Sequence, residues 1–242
     1  MHIRSVNTGQ PRRVPFGDDV VTTSIWKSPR RGAVRVGLTN LEGDRQSDLR
    51  NHGGRDKAVY AYPAEHYTRW RSELAEGPQP GPPETVGPSG RTAHAAPTPD
   101  LSWGAFGENL TINGLDERRL GIGDELRAGS ARLSVTMPRI PCYKLGLRLG
   151  RPDVVRRMAS NGRCGTYLRV LEEGEVCSGD AVERVARGEH GISVAQLFRL
   201  IMSDDLHAEE DLELLRIAGT LPTIPESVRE RLVRRWAAAT GV

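Results

Sequence analysis

Apolar positions in the first half of the chain come in short bursts separated by glycine and proline. The segments "HIRSV" (2–6), "VVTTSIW" (20–26), "AVRVG" (33–37) and "KAVYAY" (57–62) are rich in Val, Ile and Thr. Turn formers bound each of them, so each predicts a strand. At "PAEHYTRWRSEL" (63–74) the period lengthens: Pro63 suits a first helical position, and Tyr67, Trp70 and Leu74 fall on one helical face.

Residues 77–100 are nearly half Pro plus Gly and hold no bulky apolar residue except Val86. Such a stretch buries too little surface to offset its ordering entropy, and it reads as a mobile surface insertion. Strand-type sequence resumes beyond it, so it interrupts a domain rather than dividing two. "FGENLTI" (106–112) is followed by "GDELRAGSARLSVTM" (123–137), a hairpin pattern with Gly129 at the turn. "PDVVRRMAS" (152–160) reads as helix, and "GTYLRVLEEG" (165–174) and "GDAVERVAR" (179–187) return to strand.

From about Gly191 the period is helical throughout. "SVAQLFRLIM", "AEEDLELLRIAG" and "PESVRERLVRRWAAA" predict three amphipathic helices, with Ser193 as a cap, Gly219 as a stop and Pro225 in a first turn. Many short strands followed by a run of helices imply a mixed, predominantly β fold. A β-barrel-like domain over 1–188 would then carry a small three-helix domain over 191–239.

Composition adds limits. The chain has 242 residues, 37% hydrophobic and 27% charged, with a net charge of only +3. It is long enough for a substantial core, and its charge makes no case for nucleic acid or membrane attraction. Three widely spaced cysteines do not form a disulfide framework and suggest a reducing compartment. The first residues lack the apolar core of a secretory signal, and no window approaches the roughly 18 apolar residues of a membrane span. A soluble cytoplasmic protein is the expectation. The histidines are scattered, which argues against a histidine-bound zinc or iron enzyme.

Three polar clusters stand out. In "RNHGGRDKAVYAYP" (50–63), His52 precedes Gly53 and Gly54, and Arg50, Arg55 and Lys57 surround them. Glycines let backbone amides approach an oxyanion, though a tight turn with solvated charges reads the same way. In "FGENLT" (106–111), Asn109 pairs a donor with an acceptor, which suits a flat polar heterocycle or, equally, a cap. In "MPRIPCYKLGLRLG" (137–150), Pro138 and Pro141 restrict the directions of Arg139 and Cys142. Arg139, Lys144 and Arg148 put positive charge near a sulfur at a helix start, favouring a thiolate. A small buried thiol is the competing reading. Cys164 and Cys177 sit in turn-like contexts and read as passengers.

Taken in order, "HGGRDKAVYAYPAEHY", "FGENLT", "GIGDELRAGSARLSVTMPRIPCYKL" and "GRCGTYLRVLEEG" make the chain resemble MOSC-domain proteins, named after the C-terminal domain of molybdenum cofactor sulfurase. The helices at 191–239 resemble the three-helix domain of the bacterial YiiM-like branch. The resemblance implies a MOSC-type β-barrel with peripheral helices, holding a pyranopterin molybdenum cofactor. It makes Cys142 the candidate metal ligand and catalytic residue, in keeping with the soft sulfur that molybdenum favours. Arg139, Lys144, Lys57 and the His52-Gly53-Gly54 loop become candidates near the phosphate or metal, and Glu108 with Asn109 candidates near the pterin. Thr166 stands where relatives commonly carry an aromatic residue, and the 77–100 insertion is a second departure.

The resemblance further implies a reductase of N-hydroxylated compounds such as hydroxylaminopurines. No flavin fingerprint or iron–sulfur cysteine set is present, so electrons would come from a separate donor protein. Rival readings are a sulfur carrier with a Cys142 persulfide and a storage or delivery protein for the cofactor. The basic last helix, "RERLVRRW", resembles a DNA reader but is more simply a solvated face.

Overall fold

The computed structural model describes residues 1–49, 53–77, 99, 101–206 and 208–241. The first part contains β1 (His2–Thr8), β2 (Arg12–Phe16), β3 (Asp19–Thr23), β4 (Ser28–Pro29) and β5 (Val34–Val36). A single 3-10 turn (Arg55–Lys57) leads into β6 (Val59–Pro63), α1 (Ala64–Ala75) and β7 (Leu110–Asn113). Next come β8 (Glu125–Ala128), β9 (Ala131–Pro138), α2 (Tyr143–Leu149), α3 (Asp153–Asn161), β10 (Thr166–Glu172), β11 (Gly174–Val176) and β12 (Val182–Ala186). The chain closes with α4 (Val194–Met202), α5 (Glu209–Ala218) and α6 (Glu226–Thr240).

Eight strands form one sheet in the order β12-β8-β9-β10-β6-β7-β1-β4. All neighbours are antiparallel except β6 and β7. A parallel pair needs a long crossover, and α1 with the sequence beyond it supplies one. The sheet curls until its ends meet: Ile3 N–H donates to Asp180 O and Val182 N–H to Met1 O, both at 2.9 Å. The result is barrel-like, and the predominantly β expectation holds.

Strand β6 shows why the sheet has two apolar sides. Its residues alternate, as the pleat requires: Val59 and Ala61 join the barrel interior, while Tyr60 and Tyr62 join a second cluster outside it. That outer cluster is aromatic, with Tyr67 and Trp70 of α1 packed around Phe106 and Tyr62. The face foreseen from Tyr67, Trp70 and Leu74 is the buried one. Arg151, almost wholly buried, closes the C-terminal end of α1 by donating to Leu74 O (3.2 Å) and Gly77 O (2.9 Å), with Asp153 as its counter-charge at 2.8 Å.

The β8–β9 hairpin turns at Gly129 and Ser130. Gly129 has φ +54°, and a Cβ there would lie 2.2 Å from Glu175 O, so both conformation and space demand glycine. The "GDAVERVAR" segment that echoes this hairpin forms β12, the neighbour of β8. "VVTTSIW" is not one long strand: it contributes β3, which pairs with β2 in a separate hairpin. Most of the 77–100 insertion lies outside the described residues.

The three C-terminal helices form as their periodicity predicts. Ser193 caps α4 in a reciprocal box: its Oγ accepts from Gln196 N–H at 3.1 Å, and Gln196 Oε1 accepts from Ser193 N–H at 2.9 Å. Pro225 stands just before the first residue of α6, and Gly219 ends α5. The helices pack on β9 through α4, and their apolar residues continue the barrel core without a break. Arg231 and Arg235 donate to Ile201 O, and Arg235 also to Ser203 O, so these cations close α4. Among the described residues no helix is long and apolar enough to cross a membrane.

Candidate functional site

Where β9 ends and β6 begins, the barrel opens into a cleft lined by Tyr60, Arg139 and Cys142. Antiparallel pairing sets Tyr60 of β6 beside Tyr167 of β10 and Tyr167 beside Met137 of β9, so these residues form a row across the sheet. The rings of Tyr60 and Tyr167 lie 5.3 Å apart and line the cleft. Arg139 follows β9 directly and reaches into the same space.

Arg139 is only 5% exposed. Among the described residues no carboxylate forms an ion pair with it; its guanidinium lies 5.3 Å from the Tyr60 ring centroid and 3.6 Å from Met158 Sδ. Burial works against its charge, but the Tyr60 and Tyr167 phenols and the Cys142 thiol outweigh that and hold its pKa above the ordinary value. Burial in turn raises the pKa of both phenols, against the pull of Arg139. A buried cation without a carboxylate partner suits an anionic ligand in the cleft.

Cys142 lines the cleft, half-buried. It stands immediately before α2 in an extended conformation, and its carbonyl accepts from Leu145 N–H at 2.9 Å. The cysteine at a helix start is therefore present as foreseen, although α2 has only seven residues. None of the three cysteines is in a disulfide, and Cys164 is fully buried.

Lys57 and Lys144 also line the cleft. Lys144 Nζ lies 3.4 Å from Asp48 Oδ2. Burial lowers the pKa of Lys57, opposed by Asp48 and Asp56. Cys142, Arg139, Lys57, Lys144 and Asn109 thus meet in one place although they are up to 87 positions apart in sequence (Lys57 to Lys144).

The other candidates lie elsewhere. Glu108 is fully buried and does not line the cleft. Its carboxyl accepts from Thr111 Oγ1 (2.7 Å), Gly104 N–H (2.8 Å), Phe106 N–H (3.2 Å) and the Tyr67 hydroxyl. Burial nonetheless raises its pKa. Its hydrogen bonds hold the turn that presents Asn109. Asn109 has most of its own amide engaged: Oδ1 accepts from Tyr60 N–H, and Nδ2 donates to Asp44 Oδ2 and Asn7 O. Gly53 and Gly54 lie behind Gln46, whose Oε1 accepts from Gly54 N–H at 2.8 Å, and it is Gln46 that reaches the cleft. Gly54 has φ +93° and ψ 174°, a region essentially restricted to glycine. His52 is outside the described residues.

The sequence reading missed the floor of the cleft. Lys27 Nζ sits 2.5 Å from both carboxylate oxygens of Asp44, and both side chains are nearly buried. Asp44 further accepts from Gly9 N–H at 2.8 Å and Asn109 Nδ2 at 2.9 Å. Burial lowers the pKa of Lys27, while Asp44 opposes the shift. The available signal was a lone lysine closing the apolar "SIW" run, with a Gly-Asp turn following.

The MOSC domain pattern matches residues 48–183. The chain is 41% identical over 192 residues to the uncharacterized protein YflK of Bacillus subtilis, covering 79% of this chain and 76% of that one. It is 32% identical over 219 residues to a protein named "Reductase" of Gibberella moniliformis, covering 90% of this chain but only 34% of that longer protein. Among solved structures, YiiM from Geobacillus stearothermophilus superposes with a TM-score of 0.71 at 29% identity, covering 98% of this chain and 99% of that one.

Proposed function

The chain belongs to the MOSC-domain family, and from that premise we propose that it is a molybdenum-cofactor-dependent reductase of N-hydroxylated compounds such as hydroxylaminopurines. MOSC domains are associated in general with the molybdenum cofactor. The observation that carries the reading is the meeting of the Cys142 thiol with the buried, carboxylate-free Arg139 in one cleft. That pair fits a group that is both anionic and in need of a soft sulfur donor.

Cys142 would supply the protein sulfur, and Arg139, Lys57 and Lys144 would hold the phosphate and other negative charge. The cofactor, when bound, supplies two-electron chemistry. The overall change, R–NH–OH plus two electrons and two protons to R–NH2 and water, also needs protons. Lys27 holds one at Nζ on the cleft floor, and burial moves its pKa in the direction that eases release. Asp44 fixes that ammonium in place. Tyr60 and Tyr167 wall the cleft and exclude water.

Electrons would arrive from a separate donor protein. The Gibberella relative supports this reading, because the matching region there is one part of a much longer protein named as a reductase. The fungal name belongs to that whole chain.

The test is reduction of 6-N-hydroxylaminopurine to adenine by protein from a cofactor-competent host, with reduced methyl viologen as donor. Turnover lost in Cys142→Ser supports the proposal. Bound molybdenum without turnover would favour a storage protein. Cyanide-releasable sulfur on Cys142 with no metal would favour a sulfur carrier.

A further inference from the structure

The hairpin of β2 and β3 lies beside the cleft and is tied to it at both ends. Its base reaches the cleft through Thr23, with Ser24 and Ile25 following in the lining. Its tip carries Phe16, whose ring centroid is 4.7 Å from that of Tyr143, the residue next to Cys142. The hairpin therefore runs along one flank of the cleft and ends beside Cys142.

The pleat gives Phe16 a direction. Val14 and Phe16 are two apart on β2 and share a face, and Val14 pairs with Val21 across the hairpin. Val14 and Val21 are half-buried, whereas Arg13, Pro15, Val20 and Thr22 on the opposite face are exposed. Phe16 is thus on the face turned toward the protein, yet it remains 47% exposed. Tyr143 is 44% exposed. Among the described residues these are the only exposed aromatic side chains, and they touch each other.

Exposed apolar surface that is contiguous, as in two touching rings, is the kind that marks ligand-binding grooves. The pair is tilted by 36°, and both rings keep a large share of their surface open to solvent. The neighbouring cleft carries Arg139, Lys57 and Lys144 and is walled by the Tyr60 and Tyr167 rings, and the Phe16–Tyr143 pair adds exposed aromatic surface beside Cys142.

We propose that Phe16 and Tyr143 form a stacking wall that holds the planar heteroaromatic ring of the substrate, so that its N-hydroxyl group points toward Cys142. The proposal rests on the reductase reading given above and assigns its substrate preference to the hairpin. Aromatic rings would be favoured over aliphatic or small N-hydroxylated compounds because only the former present a face to stack.

The experiment compares 6-N-hydroxylaminopurine with N-hydroxyurea, which has no ring. Without the Phe16 ring the base loses its stacking partner. Accordingly Phe16→Ala and Phe16→Leu should each raise KM for the purine about tenfold, leaving kcat and molybdenum content unchanged. N-hydroxyurea kinetics should not move, and Phe16→Trp should restore the purine KM. Equal changes for both substrates, or an unchanged purine KM, would overturn the proposal.

A second measurement does not depend on turnover. Saturation-transfer NMR with adenine should show contact with wild-type aromatic protons, and binding should weaken about tenfold in Phe16→Ala. Adenine binding through Phe16 in a protein without reductase activity would sustain the stacking wall while removing the proposed reaction. Absent binding, or equal binding to both proteins, would remove the wall.

Discussion

Replacing Arg139 with Met removes a guanidinium that is 5% exposed and, among the described residues, has no carboxylate partner. In the cofactor-free protein two effects oppose each other. Loss of the cation–π contact with Tyr60, 5.3 Å away, costs at most about 2 kcal/mol. Relief from desolvating the guanidinium returns several kcal/mol, and Met fills a similar volume. The net change is a gain of about 1–3 kcal/mol. For a chain of this size each kcal/mol moves Tm by roughly 2–4 °C, so Tm should rise by about 5 °C. The anion-holding role changes in the opposite sense. Charge-assisted hydrogen bonds contribute about 1.5–3 kcal/mol each, so the variant should hold the cofactor at least about tenfold more weakly. Differential scanning calorimetry on protein from a host unable to make the cofactor measures the first effect. Metal analysis after expression in a competent host measures the second. A Tm drop of about 5 °C in cofactor-free Arg139→Met would show that the arginine serves the fold, and the reasoning would fail.

Other perturbations follow from the same structure. Asp44→Asn strands the Lys27 ammonium and should cost about 3–5 kcal/mol by chemical denaturation, with most of it recovered in the Asp44→Asn/Lys27→Met double variant; equal losses in both would show that the pair is not coupled. Gly129→Ala forces a Cβ into Glu175 O at positive φ and should cost about 3 kcal/mol, read as a fall in Tm. Burial holds the pKa values of Tyr60, Tyr62, Tyr67 and Tyr167 above the unfolded value near 10. Their stabilising contribution is complete below pH 10 and is lost as pH rises further, at about 1.4 kcal/mol per pH unit per phenol. Phenolate absorbance at 295 nm from these four should therefore appear together with unfolding; gradual ionisation in a folded protein would contradict their burial.

Legibility in sequence followed burial. Strand β6 was readable because both of its faces are packed, so Val59 to Tyr62 show no polar interruption. Helix α1 was readable because Tyr67, Trp70 and Leu74 repeat at helical spacing against one cluster. Strand β2 escaped because most of its positions are exposed and Pro15 breaks the apolar run, although "VVTTSIW" had marked its partner β3. At the site, Cys142 and Arg139 were marked by their own neighbours, the two prolines and the cations. Lys27 and Asp44 carry no such local mark, since their pairing across 17 positions exists only once the chain is folded. Glu108 carries no local mark of its surroundings either: beside Asn109 it resembles a ligand contact, and in the fold N–H and hydroxyl donors engage its carboxyl.

Molybdenum content tests the central claim most directly. Wild-type protein from a cofactor-competent host should carry close to one molybdenum per chain, and Cys142→Ser, folded to the same Tm when cofactor-free, should carry almost none. Wild-type protein without molybdenum, or a Cys142→Ser variant that retains it fully, would contradict the assignment of Cys142 as the ligand.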